Sequence, residues 1–313
     1  MNTNRDIMGQ GVPPMSPIFA KDAFSRLDES NDAQFYATDR FVSHLDSLAL
    51  ETVEKVIGEL IVEENPVILD LMAGWDSHIP EELDPSGVVG LGLNRNELSK
   101  NGSLSEIMIH DLNMDPTLPF PDETFDAVIN TVSVDYMTKP VQVFREVGRI
   151  LRPGGLFLVI FSNRMFPEKA VRVWKESSED ERVLLVEDFF KEARLFEKTS
   201  VFVSKGKPRP ENDKYAHLGI PSDPIYAVYA DKKGGSPCKA RPVVTMAYGA
   251  LLEGEELENR KKAINYVLNK VVDAQVKMLA PFTPHLCEEI WESMGNESFV
   301  SFAQWPTPDF ALI

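Results

Sequence analysis

Asp70 closes the apolar run Val67-Ile-Leu69 and is followed by Leu-Met-Ala-Gly-Trp-Asp-Ser-His-Ile-Pro80, a turn with a single glycine. A carboxylate in that position stands where an open α/β sheet receives its ligand, beyond the carboxyl ends of the strands. Turns that bring backbone close to a nucleotide or nucleoside usually carry several glycines. In the spacing Asp-x-Gly-x-Gly-x-Gly only Gly74 is present here, with Met72 and Asp76 in the other two places. A plain buried strand with a polar turn would leave a similar trace. Further along, Asp111 and the cluster Asn130, Thr131, Ser133, Asp135 and Tyr136 follow apolar runs in the same way. Cys238 and Cys287 form neither a disulfide framework nor a CxxC metal site, so no metal is expected.

These groups need a scaffold, and the hydrophobic pattern predicts one. Val67–Leu71, Gly87–Leu93, Glu106–Ile109, Phe125–Thr131 and Gly155–Ser162 have the composition of strands, with helical or turn segments between them. Pro153-Gly154-Gly155 is expected as the turn into the fifth strand. Ser200–Ser204 and Ile225–Tyr229 are expected to close the sheet after a Pro/Gly-rich excursion. Between Ala23 and Ile61 apolar residues recur at helical spacing, notably Leu48, Val53, Val56, Ile57 and Leu60, which predicts a helix leading into the sheet. The fold class is therefore α/β: a Rossmann-like, mostly parallel seven-stranded sheet with flanking helices, plus a small C-terminal helical appendage. The expected boundaries are a flexible tail over 1–21, the sheet domain over 22–233, a Lys/Gly/Ser-rich linker over 234–240 and the appendage over 241–313. In the last of these, Ile264, Val267, Leu268, Val271, Val272, Val276 and Leu279 form one helical stripe, and Thr283 and Pro284 start a second helix through Trp291.

The chain has 313 residues and a formal charge of −17. That balance argues against a mainly electrostatic hold on nucleic acid or an anionic membrane, which needs clustered Lys and Arg. The longest apolar run, around Leu156 to Phe161, is far short of the roughly 20 residues of a membrane-spanning helix. With two cysteines and no signal-peptide pattern, a cytoplasmic location is expected.

Over residues 22–233 the order of motifs resembles a class I S-adenosylmethionine-dependent methyltransferase of the type 11 kind. The resemblance rests on Val67-Ile-Leu-Asp-Leu71, Gly90-Leu-Gly-Leu-Asn-Arg-Asn-Glu-Leu98, Asp111-Leu-Asn-Met-Asp-Pro116, Leu118-Pro-Phe-Pro-Asp-Glu-Thr-Phe-Asp-Ala-Val128 and Phe144-Arg-Glu-Val-Gly-Arg-Ile-Leu-Arg-Pro-Gly-Gly155. It implies S-adenosylmethionine as cofactor, held by Asp70, Ala73, Gly74, Gly92, Asn94, Asp111, Leu112 and Asn130. Ala73 and Gly74 would face the methionine part. Asn94 would serve the ribose hydroxyls in place of the family's carboxylate, since the second strand ends at Gly92. Asp111 would accept from the adenine amino group, with Leu112 flanking the ring; Asp111 as a helix cap is the competing role. Tyr36, Arg40, Trp75, Tyr136, Asn163 and Arg164 would line the pocket of an unidentified acceptor. Methyl transfer is an in-line displacement in which positioning supplies much of the acceleration, and a base is needed only when the acceptor must lose a proton. His78 and Asp135 are the candidates for that base, and a structural or solvent-facing role is the plainer expectation for each.

Lys277-Met-Leu-Ala-Pro-Phe-Thr-Pro-His-Leu-Cys-Glu-Glu-Ile-Trp291 and Val300-Ser-Phe-Ala-Gln-Trp-Pro306 are similar to the helical anticodon-binding region of leucyl-tRNA synthetase. The chain lacks HIGH-like and KMSKS-like signatures, so a synthetase is excluded. The similarity implies tRNA or another RNA, or a protein, as a partner, with the methyltransferase fold serving as a catalytically silent binding module. From Cys238 onward, however, 7 basic residues face 10 acidic ones, a balance of −3 that gives phosphate little to bind. A docking role on the first domain, or a homodimer through the C-terminal helices, is the plainer expectation.

Overall fold

The computed structural model describes residues 22–235 and Arg241. The chain divides into two units, residues 1–249 and 250–313, and the described residues all belong to the first. The expectations for the tail over 1–21 and for the C-terminal helices lie outside the described residues.

Seven strands form one sheet: β1 (Val67–Leu71), β2 (Gly87–Gly92), β3 (Glu106–Ile109), β4 (Phe125–Thr131), β5 (Leu151–Phe161), β6 (Ser200–Ser204) and β7 (Ile225–Asp231). Their order is β3-β2-β1-β4-β5-β7-β6. The first five are parallel, and β7 runs antiparallel to both β5 and β6. Chain order reverses between β1 and β4, and ligands in doubly wound sheets lie at the carboxyl ends beside such a switch.

Successive strand residues point to opposite faces, which divides the core in two. On one face Val53, Val56, Ile57 and Leu60 of α2 (Ser47–Leu60) cover Ile68, Ala127, Ile129, Leu158 and Ile160. On the other, Val143, Phe144 and Val147 of α4 (Pro140–Ile150) and Leu185, Val186, Phe189 and Phe190 of α6 (Glu179–Ala193) cover Leu69, Val128, Phe157 and Val159. The central strands are buried on both sides, which explains their continuous Val/Ile/Leu character. Helix α6 begins with a capping box, the Ser178 side chain accepting from the Glu181 amide and the Glu181 carboxylate from the Ser178 amide.

Two expectations need correction. The 23–61 region is not one helical approach: α1 (Asp32–Phe35) is a single turn, and only α2 is a long helix. Polar contacts rather than apolar periodicity hold the rest of it. Pro153-Gly154-Gly155 is not a turn before β5 but an irregularity inside it, since β4 and β5 pair as Phe125↔Leu151 and again as Ala127↔Leu156. Gly154 takes a φ of +78°, a left-handed conformation that glycine adopts freely, and the strand resumes without ending.

The 22–40 segment is anchored by buried charge. The Lys169 ammonium, fully buried, lies 2.9 Å from Asp28 and 3.1 Å from Asp32 and donates to the Ser30 carbonyl at 2.8 Å. Arg26 donates to both oxygens of Asp32 at 2.9 and 2.8 Å. A second network fixes the start of α2: Arg209 donates to Asp223 at 2.7 Å and lies 3.4 Å from Asp46, the N-cap residue whose carboxylate also accepts from Ser222.

Candidate functional site

A cavity of about 200 Å³ opens at the carboxyl ends of β1, β2, β3 and β4. Its wall combines the turn after β1, the start of α3 (Arg95–Lys100), the loops after β3 and β4, and the segment around residues 32–45. Three of the eight described non-glycine residues with left-handed backbone line it. Met72 has φ +62°, His78 +53° and Val132 +51°, the last a β-branched residue in a region such side chains rarely occupy.

The β1 turn is held by polar stitches rather than glycines. The Ala73 amide donates to Leu91 at 2.8 Å, and Asn101 Nδ2 donates to the Gly74 carbonyl at 3.1 Å and to Ser77 Oγ at 2.8 Å. Asp70 lines the cavity yet is almost fully buried. Burial raises its carboxyl to about 7, opposed by a hydrogen bond from Ser77 and by nearby His78. His78 also lines the wall, its Nδ1 3.2 Å from Asp76 and its amide donating to that carboxylate at 2.9 Å. Trp75 stands at the side of the cavity, its indole N–H donating to the Val42 carbonyl at 3.3 Å and its ring edge-on to Phe41.

At the end of β2 the backbone leaves no room for a side chain. A Cβ on Gly92 would lie 2.4 Å from the Ala73 carbonyl oxygen, so the carboxylate that the family usually places here cannot fit. Asn94 lines the wall, but both ends of its amide are engaged. Its Oδ1 caps α3 by accepting from the amides of Asn96 and Glu97, and its Nδ2 donates to the Tyr36 carbonyl at 3.0 Å and to Asp39 at 2.9 Å. A carboxylate does reach the wall from Glu97. One oxygen accepts from the Arg40 amide at 2.6 Å, and the other faces the Gly74 turn. Partial burial raises its pKa. Glu97 went unrecognised in the sequence, although Asn94-x-x-Glu97 has the spacing of a capping box; here the carboxylate turns to another segment.

Asp111 lines the cavity, and of its two expected roles the structure shows a capping one, on a turn rather than a helix. Its Oδ1 caps the following turn by accepting from Asn113 at 2.9 Å and Met114 at 3.2 Å, while Oδ2 makes no hydrogen bond among the described residues. Leu112 is buried beside it.

Ala73, Gly74, Gly92, Tyr36, Arg40 and Tyr136 also line the cavity. Four expected residues lie off it. Asn130 is fully buried and ties two loops together by donating to the Leu71 carbonyl and to Ser133 Oγ, both at 2.8 Å. Asp135 is buried, burial raises its carboxyl to about 8, and its Oδ2 has no hydrogen-bond partner. Asn163 is exposed and donates to Glu179, and Arg164 is paired with Asp223 at 2.8 Å. Sequence reasoning missed Asp32, His44, Asn113 and Phe166, all on the wall. Asn113 sits inside the quoted Asp111–Pro116 motif without being singled out, and no motif marks the other three, whose positions are set by contacts distant in the chain.

The fold and the cavity define the class: a Rossmann-like α/β domain with a cavity at its topological switch point, where such sheets receive ligands. Residues 81–159 match the family model of the methyltransferase domain, and residues 248–313 match that of the anticodon-binding domain of tRNA ligase. One segment of the chain is thus similar to a methyltransferase domain and a later one to an anticodon-binding domain. Curated relatives match the second segment. Leucine–tRNA ligase from Pyrococcus abyssi is 55% identical over 47 residues, 15% of this chain and 5% of the ligase. The Methanosarcina mazei ligase is 60% identical over 47 residues, with the same shares. The chain therefore spans about 5% of the length of these relatives. Among solved structures, an S-adenosylmethionine-dependent methyltransferase from Mesorhizobium loti aligns at 18% identity over 59% of this chain and 96% of its own, TM-score 0.38. A SAM-dependent methyltransferase from Aquifex aeolicus aligns at 16% identity over 64% and 97%, TM-score 0.39. Among the described residues no helix is long and apolar enough to cross a membrane.

Proposed function

We propose that the chain is an S-adenosylmethionine-dependent methyltransferase whose cofactor lies in this cavity. The observation that carries the reading is the convergence of Asp70, Gly74, Glu97 and Asp111, from loops far apart in sequence, on one hollow at the carboxyl end of the sheet. The donor set fits the cofactor. Glu97 and Asp111 each keep an oxygen outside any hydrogen bond among the described residues, suited to ribose hydroxyls and an adenine amino group respectively. Leu112 offers a buried apolar flank to a base. Carboxylates outnumber cations on the wall, which favours a ligand with a positive centre.

When bound, the cofactor supplies an electrophilic methyl group on a sulfonium. The protein's part is to exclude water, align the acceptor and, where the acceptor carries a proton to be lost, remove it. His78 is the base supported by placement: Asp76 engages Nδ1 and so orients the ring, leaving Nε2 as the nitrogen to act. Asp135 lies off the cavity and suits a structural role.

Titration calorimetry with S-adenosylhomocysteine tests the reading. Saturable heat at submillimolar ligand is expected, and its absence at millimolar concentration removes the proposal. Glu97→Gln weakens binding about tenfold if that carboxylate holds the diol, a loss matching one charge-assisted hydrogen bond.

The match at residues 248–313 favours a second reading, a binding module that contacts tRNA without turnover. A tRNA titration at several salt concentrations separates the two. Binding that weakens steeply with salt supports the module, and a flat, weak response counts against it.

A further inference from the structure

Arg40 is the only Lys or Arg among the residues lining the cavity. Among the described residues its guanidinium bonds backbone carbonyls alone, Nη1 to Thr38 at 3.3 Å and Nη2 to Phe35 at 3.1 Å. The neighbouring carboxylates are engaged elsewhere: Asp32 with Arg26 and Lys169, Asp39 with Asn94 and Asn96, and one oxygen of Glu97 with the Arg40 amide. Three rings crowd the cation, with centroids 4.7 Å away for Phe35, 5.3 Å for Phe166 and 5.7 Å for Tyr36. Phe35 stands edge-on to Tyr36 and Phe166, and the three rings attract the cation without accepting its N–H groups as carbonyls do. Of its five N–H donors two are used, so Nε and a second hydrogen on each Nη remain. Tyr136 and His44 extend the aromatic wall, 6.0 and 5.4 Å from Phe166.

We propose that this end of the cavity is a carboxylate-recognition site, in which Arg40 takes a ligand carboxylate in plane while Phe166 and Tyr136 hold a flat apolar body. Although carboxylates outnumber cations on the wall as a whole, the Arg40 guanidinium itself bonds only carbonyls among the described residues, and its fork matches the planar, bidentate geometry of a carboxylate. The assignment of the ligand rests on the methyltransferase reading. Tyr136 follows β4 and Phe166 follows β5, whereas Gly74 and Asp111 follow β1 and β3. The aromatic end adjoins the nucleoside groups through the Arg40 amide on Glu97 and the Tyr36 carbonyl on Asn94, but its rings come from the 35–36 segment and the loops after β4 and β5. Flat apolar walls beside a guanidinium point to an acceptor that is an aromatic or unsaturated carboxylic acid. The methionyl carboxylate of the cofactor is the other source of the same chemistry.

The test uses the full chain, wild type and Arg40→Gln, titrated with three probes: S-adenosylhomocysteine, 5′-methylthioadenosine, which lacks the amino-acid carboxylate, and benzoate, followed by ligand-observed NMR. Thermal melts confirm that the variant folds, and Arg40→Lys, which keeps charge without the planar fork, gives an intermediate loss. The expected result is a loss of tenfold or more in benzoate affinity in Arg40→Gln, with both nucleosides unaffected. A tenfold loss confined to S-adenosylhomocysteine supports the carboxylate site and assigns it to the cofactor. Equal affinities of wild type and Arg40→Gln for all three probes overturn the proposal, as does a wild type that binds none of them. A wild type that binds benzoate through Arg40 but neither nucleoside sustains the carboxylate site and removes the methyltransferase reading.

Discussion

Gly92→Asp places the family's usual carboxylate at the end of β2, and the structure predicts that it damages the protein without improving the site. A Cβ at this position lies 2.4 Å from the Ala73 carbonyl oxygen, against ordinary contact from 3.4 Å, so the turn must move by about 1 Å. The obstructing atom is backbone and cannot rotate aside. The same residue's amide is tied to Leu91 by a 2.8 Å hydrogen bond, which the shift would strain. Overpacking of about 1–3 kcal/mol and a weakened hydrogen bond of about 1 kcal/mol together cost roughly 2–4 kcal/mol. For a domain of this size each kcal/mol lowers Tm by about 2–4 °C, so a drop of roughly 5–15 °C is expected by differential scanning calorimetry. Nucleoside affinity falls as well, because Ala73 and Gly74 form the cavity wall. A variant that melts with the wild type and binds S-adenosylhomocysteine more tightly would refute the claim that Glu97 replaces a carboxylate that cannot fit at position 92.

Three further outcomes follow from the buried charges. Burial raises the Asp135 carboxyl to about 8 from an ordinary 3.8, so the folded state holds a proton that the unfolded chain gives up near pH 4. Stability therefore declines as pH rises between about 4 and 8. Asp135→Asn removes up to about 1.4 kcal/mol per pH unit of that slope, read from urea unfolding at pH 5, 6.5 and 8; an unchanged slope contradicts the assignment. Asp70, raised to about 7, contributes in the same direction over a window ending one unit lower, and a cation bound beside it releases its proton, so nucleoside binding should liberate protons near pH 7 in buffers of different ionisation heat. Lys169→Met leaves Asp28 without its cation and Asp32 with Arg26 alone, costing about 3–5 kcal/mol. Amide exchange should accelerate first in residues 22–40, and uniform acceleration across the sheet argues against a local anchor.

Binary pattern alone placed β1, β3, β4 and β6, whose residues form continuous or alternating apolar runs bounded by turn formers; β1 and β4 are buried on both faces and so nearly continuous, whereas β3 and β6 are partly exposed edges. The wall positions of Asp70, Gly74 and Asp111 followed from the same logic, because the end of a parallel strand is a local property of the chain. The extent of β5 did not follow. Pro-Gly-Gly has the composition of a turn, and only pairing with β4 and β7 carries the backbone through it as strand.

The site divides along the same line. Sequence determined that acids and a glycine turn stand at strand ends, since patterning and turn chemistry act over a few residues. Which of those groups face the cavity was a tertiary decision. Asn94 is consumed by Tyr36 and Asp39, more than 50 residues away in the chain, Glu97 is freed to face the turn, Arg164 is drawn off to Asp223, and Arg40 is stacked against Phe166. Such pairings depend on loops brought together by burial of the sheet's two faces. Hydrogen bonds and ring contacts reach only a few ångströms, so no spacing along the chain can encode them.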